Sequence, residues 1–357
     1  MSASSSKQNS AALRAAASEA AAGARLHATI ADVFLPEESR LDERTRLQLK
    51  NTLDGVVGAV EADVRRHAAR LLAERGAVRK AEMLLDERPG VFARLMRSGL
   101  LRDAELMEEL IGRVRYDLIA DALPVSLERP EAASLLVRLG EVPDSVIATA
   151  ATALLVQENC HADAREGRGA PGSELPAELH HRLVWWVAAA LRESGDTDPD
   201  IDRAIGEAAL RSLAAHDESE RVEAVAARLA AAIDPLPGEV PALLAEAIGD
   251  RRLSLFIAVL ARALDMDGDA ARALVIEPNG ERLWPALRAA GLERDAIARI
   301  ALALAEADPQ RDIERFAYEL DDIAAIDPAT ARAELAPLSL PRSFRAAIRA
   351  LARSGRE

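Results

Sequence analysis

The chain has 357 residues, a formal net charge of −14, and 50% hydrophobic but only 3% aromatic residues. That length buries a large core, and 76 alanines beside three lysines and four asparagines exclude a disordered chain and an all-β sandwich. The single cysteine, Cys160, excludes an intramolecular disulfide and places the chain in a reducing cytoplasm.

In chain order, residues 1–24 read as a mobile or loosely helical segment, in which Arg14 and Glu19 break any signal-peptide pattern. Residues 25–162 form an N-terminal helical-repeat domain. Within it Leu47, Leu53, Val57, Val60, Val64, Ala68 and Leu71 recur at helical spacing, which buries one face and wets the other. Residues 163–174, DAREGRGAPGSE, carry three glycines and a proline without an apolar anchor and read as a linker loop. Residues 175–357 form an acidic C-terminal helical-repeat domain. Its first helix shows Leu175, Leu179, Leu183, Trp186, Val187 and Ala190 on one stripe, and Ile297, Ile300, Ala301, Leu304 and Ala307 repeat the pattern later. The longest apolar run, Leu183–Leu191, is nine residues, about half of a bilayer crossing, so no membrane span is expected.

Asp-Pro recurs at 198–199, 234–235, 308–309 and 327–328, where Asp can cap a helix and Pro suits its first position. The prolines stand 36, 74 and 19 residues apart, close to multiples of roughly 18, one helix plus a turn. Paired helices repeating at roughly 37 residues predict an all-α fold, an α-solenoid of stacked hairpins. The alternative is a two-lobed helical bundle.

The block Asp63-Val64-Arg65-Arg66-His67-Ala68-Ala69-Arg70-Leu71-Leu72 resembles the helix signature of HEAT repeats. Pro89–Leu106, PGVFARLMRSGLLRDAEL, is similar to an uncharacterised proteobacterial family with HEAT-like repeats. The resemblance covers residues 40–300 and implies a HEAT-like helical solenoid that binds another macromolecule; it brings no catalytic residues.

Candidate chemistry is sparse. Cys160, His161, His180 and His181 flank the linker and form the ligand set of an alternative function, a metal-assisted hydrolase, but no Cys-x-x-Cys or His-x-x-x-His pair supports it, and the histidines read as solvent-facing. Gly167–Gly172 matches Gly-x-Gly-x-x-Gly without its strand, and Asp265–Asp269 misses the calcium-loop register, with Gly268 fourth. Carboxylate pairs such as Glu108-Glu109 read as solvated helix faces. No cofactor or metal is expected. Trp185 lies off the apolar stripe with His181 and Arg182, an arrangement suited to a partner contact. The C-terminal arginines Arg342, Arg345, Arg349, Arg353 and Arg356 form a basic stripe, whose nearest intramolecular partner is the acidic stretch 311–327. Nucleic acid is disfavoured at this net charge. The expectation is a non-enzymatic cytoplasmic scaffold or adaptor. Its protein partner would meet Trp185, Arg182 and His181 first, and Arg345, Arg349 and Arg353 second.

Overall fold

A computed structural model describes residues 40–86, 90–125, 133–165, 174–194, 198–278, 280–341, 343–345, 347–348 and 351. Among them the secondary structure is helical and without strands. The chain divides into two compact units, residues 1–47 and 48–357. The expected segment 1–24 and residues 166–173 of the expected linker lie outside the described residues. Asp163 to Arg165 complete a helix, and Glu174 is held by Arg113 and His161.

In the first unit the described residues open a long helix, α1 (Glu43–Glu74), where the Asp42 carboxylate accepts the Thr45 amide at 2.8 Å. The second unit begins within α1, whose Leu53, Val57, Val60, Val64 and Ala68 are buried as the spacing predicts, whereas Leu47 is exposed and Leu72, in place of Leu71, takes the buried position near its end. There follow α2 (Val78–Leu85), α3 (Val91–Ser98), α4 (Ala104–Ala122), α5 (Leu135–Gly140), α6 (Ser145–Arg165), α7 (Ala177–Ser194) and α8 (Pro199–Ala215). Then come α9 (Val222–Ile233), α10 (Val240–Gly249), α11 (Leu253–Ala263), α12 (Gly268–Val275), α13 (Leu283–Ala289), α14 (Arg294–Ala307), α15 (Ile313–Ala325) and α16 (Pro328–Leu335).

Successive helices pack as pairs in α5/α6, α7/α8, α10/α11 and α14/α15. The core centres on α11. Every residue from Leu253 to Ala261 is buried, and α9, α10 and α12 pack against it. A helix whose residues are apolar on all sides has no wet face to present, and LSLFIAVLA carries no charge before Arg262.

Aspartates start many of the helices. Asp103, Asp198, Asp267, Asp312 and Asp327 each accept a backbone amide from the first turn of α4, α8, α12, α15 and α16. Two of the four Asp-Pro markers are therefore N-caps. The other two close helices: Asp234 takes φ +43 after α9, and Asp308 follows α14 and accepts the Gln310 amide at 3.1 Å. A repeat period counted on all four mixes starts with ends.

The arginine excess also has structural use. Arginine forks close the carbonyl ends of helices, which lack intrahelical donors. Arg311 donates to Val275 O, Arg288 to Ile326 O at 3.2 Å, Arg332 to Ala289 O at 2.9 Å, and Arg65 to Leu84 O at 2.7 Å. Arg311 is buried and its guanidinium stands 5.9 Å from the centroid of Trp284, which itself packs on Phe316 at 4.7 Å. The turn before α13 needs glycine at 280: φ is +64, and a Cβ there would stand 2.5 Å from the Trp284 ring.

Candidate functional site

Helix α4 organises the candidate site. Leu106, Leu110 and Val114 give it an apolar stripe, and beside them Glu109, Arg113 and Asp117 recur at four-residue spacing, so all three charges point inward together. Glu109 is only 1% exposed, which corrects the solvated-face reading of Glu108-Glu109. Its carboxylate receives Arg272 Nη1 at 3.1 Å and Nη2 at 2.5 Å from α12, and Arg221 Nη2 at 3.2 Å. Arg113 reaches Glu174 and, at 3.3 Å, Glu223 of α9. Burial alone would raise both carboxyls. The surrounding arginines overcome it, holding Glu109 below the usual carboxylate range and Glu223 down to about 2.

One turn further along α4, Asp117 meets His161 of α6. His161 Nε2 lies 2.9 Å from Asp117 Oδ1 and Nδ1 lies 2.9 Å from Glu174 Oε1. Arg165 continues the chain of charges to Asp121 at 2.5 Å. Asp117, His161, Glu174 and Arg165 line a small cleft of about 190 Å³ together with Asn51 and Thr52 of α1.

The hydrolase residues do not converge. His161 is taken by Asp117 and Glu174, and Cys160 is exposed. His180 is buried, stacked on His216 at 4.1 Å with the rings 15° apart, which corrects its solvent-facing reading. Burial and the His216 imidazole push His180 down to about 4. Glu158, the acid beside Cys160, instead accepts Arg252 at 2.7 Å and Ser254 at 2.5 Å. No group of three or more His, Cys, Asp or Glu among the described residues is placed to hold a metal ion.

The expected partner residues fall on two places. On α7, Trp185 is 37% exposed and donates Nε1–H to His181 Nε2 at 3.2 Å, while Arg182 is committed to Asp103, at 2.8 Å, and Glu105 at the start of α4. Arg345 is mostly buried and pairs with Asp267, the N-cap residue of α12, at 3.3 Å. Arg349 and Arg353 lie outside the described residues.

Arg345 stands in the wall of a cleft of about 930 Å³ between α4, α12 and the C-terminal segment. Its apolar surface comes from Met107, Ile111, Ile276, Pro278, Leu338, Leu340 and Ile348, and its floor from the Glu109–Arg272 pair. Arg282 at the rim is paired with Glu277 at 3.0 Å. Arg115, half-buried in the α4 wall, has no hydrogen-bond or ion-pair partner among the described residues. No regular sequence signal marks this cleft, because its walls come from segments far apart in the chain, 104–115 and 269–348.

Residues 127–336, from α5 to the end of α16, match the model of a family described as an uncharacterised protein conserved in bacteria, DUF2336. The chain belongs to this family. No curated protein and no solved structure matches it. Helix α4 precedes the DUF2336 segment, so the Glu109–Arg272 and Arg113–Glu223 pairs tie the family segment to the helix before it. The groove is likewise built across that boundary. No described helix is long and apolar enough to cross a membrane.

Proposed function

We propose that this DUF2336 protein is a non-enzymatic binding module, a scaffold or adaptor that docks a segment of a protein partner in the cleft between α4, α12 and the C-terminal segment. The observation that carries the reading is Arg115, a cation without a hydrogen-bond or ion-pair partner among the described residues, beside the apolar Met107, Ile111 and Ile276 of the cleft. The other charges of the cleft that have been described, Glu109, Arg272, Glu277, Arg282 and Arg345, answer one another or a neighbour and offer recognition in place of a reacting group. A segment that fits brings apolar side chains and one carboxylate to meet Arg115. Trp185 and His181 form a secondary contact patch, near the α4 start that Arg182 holds.

The pairing of successive helices supports a HEAT-like arrangement of stacked hairpins; α11, enclosed on every side, is where the packing becomes that of a bundle. A reducing cytoplasm suits the exposed, unpaired Cys160.

Arg115→Glu tests the reading. Because Arg115 makes no described intramolecular bond, the melting temperature stays within about 2 °C of wild type, a surface-level change. Affinity capture from native cells should recover a partner with the wild-type chain and at least about tenfold less with the variant, the loss of one charge-assisted contact. Undiminished recovery contradicts the groove as the docking site.

A further inference from the structure

A second cavity, of about 270 Å³, lies behind the groove, with Arg272 in the wall of both. Its apolar side is formed by Ile257, Ala258 and Ala261 of α11 together with Met266. Its polar groups are Tyr116 of α4, Glu223 of α9 and Asp265 just after α11. The size is near the small end for a small-molecule site, and the mixture of apolar wall and few polar groups is typical of one.

The polar groups share one property: each carries an acceptor oxygen. Glu223 uses Oε1 for Arg113 at 3.3 Å and Arg272 at 3.4 Å, while Oε2 is shut from solvent and has no hydrogen-bond partner, although a third of the side chain is exposed. Tyr116 lines the cavity beside Ser254, whose hydroxyl donates to Glu158 at 2.5 Å. Asp265 has no ion-pair partner among the described residues and follows the last carbonyls of α11, the negative end of the helix dipole. The cations in the wall are already engaged, Arg272 with Glu109 at 2.5 Å and Arg262 with Asp234 at 3.2 Å. A buried acceptor without a donor, here Glu223 Oε2, requires an explanation, and a ligand that supplies hydrogens and positive charge answers it, with the exposed carboxylate of Asp265 at the cavity edge adding to the attraction.

We propose that this cavity binds a small organic ammonium compound, with the ammonium directed at Glu223, Tyr116 and Asp265 and an apolar body of about one ring against α11. The site is independent of the partner groove and does not rest on it. The probe is phenethylamine, titrated into the full-length protein by isothermal calorimetry and followed by amide chemical shifts. Phenylacetate, of similar shape and opposite charge, is the control.

Phenethylamine should bind saturably at one site, at least tenfold more tightly than phenylacetate. Ala261→Leu fills the cavity and Glu223→Gln removes the charge; each should weaken phenethylamine at least tenfold. The proposal is overturned if phenethylamine gives no saturable binding to the wild type, if the two compounds bind equally, or if folded Ala261→Leu binds phenethylamine undiminished. The comparison of the two compounds on the wild-type chain decides even if a variant fails to fold.

Discussion

Replacing Glu109 by alanine lowers the stability of the protein by about 3–5 kcal/mol, the range for removing one partner of a buried ion pair. The reason is what remains behind. Arg272 is 8% exposed and is directed at Glu109 through both terminal nitrogens, and Arg221 shares the same carboxylate. Without Glu109 those cations keep their desolvation cost and retain only the more distant Glu223, at 3.4 Å from Arg272, and Asp269, at 3.3 Å. Denaturant unfolding of the variant checks the size of the loss. The double variant Glu109→Leu with Arg272→Met recovers a large part of it, because an apolar pair of similar volume carries no charge to desolvate. A fall of under about 1 kcal/mol for Glu109→Ala would mean that the pair is open to water, as surface pairs are.

Acid weakens the fold in two stages. His180 is held down to about 4 against an ordinary 6.5, so the folded chain refuses a proton that the unfolded chain accepts. Its contribution is therefore complete above pH 6.5 and is lost as pH falls from 6.5 through about 4, at most about 3 kcal/mol for this shift. His216 stacks on the ring and Asp63 of α1 lies close enough to act the other way, favouring the charged form. Glu223 is held at about 2 against 4.5, so its contribution is complete above pH 4.5 and is lost as pH falls toward 2. The expected curve of unfolding free energy against pH bends first below 6.5 and again below 4.5. His180→Phe should flatten the first bend and leave the second, since the aromatic face on His216 is kept while the proton site is removed. A first bend that survives in His180→Phe assigns it elsewhere.

The helices were legible because they rest on local patterns. The stripe Leu53, Val57, Val60, Val64 and Ala68 is buried as its spacing requires, and Asp198 and Asp327 cap helices where Asp-Pro stands. Asp234 and Asp308 show the limit, because the same dipeptide also closes a helix when the preceding stretch is already helical. The charge cluster was harder to see. Glu109, Arg113 and Asp117 fall at four-residue spacing beside the apolar stripe of Leu106, Leu110 and Val114, and that regular row of alternating sign was a readable signal. Its partners were not: Arg272 lies 163 residues from Glu109, and only the packing of α12 on α4 brings them together. Likewise His180 looks like its neighbour His181 in the sequence, and only the approach of His216 from the end of α8 separates a buried ring from an exposed one. Arg345 was read in a basic stripe that faces either residues 311–327 or a partner, and the acid it meets is Asp267, the N-cap of α12, which no local pattern marks.

The most direct test of the docking groove is photo-crosslinking in living cells from a benzophenone side chain placed at position 111, with position 318, on the 88% exposed Tyr318 of α15, as the control. A covalent adduct with one protein from position 111, absent from position 318 and abolished by adding Arg115→Glu, is the predicted result. No adduct from position 111, or one that persists when Arg115 is reversed in charge, would contradict it.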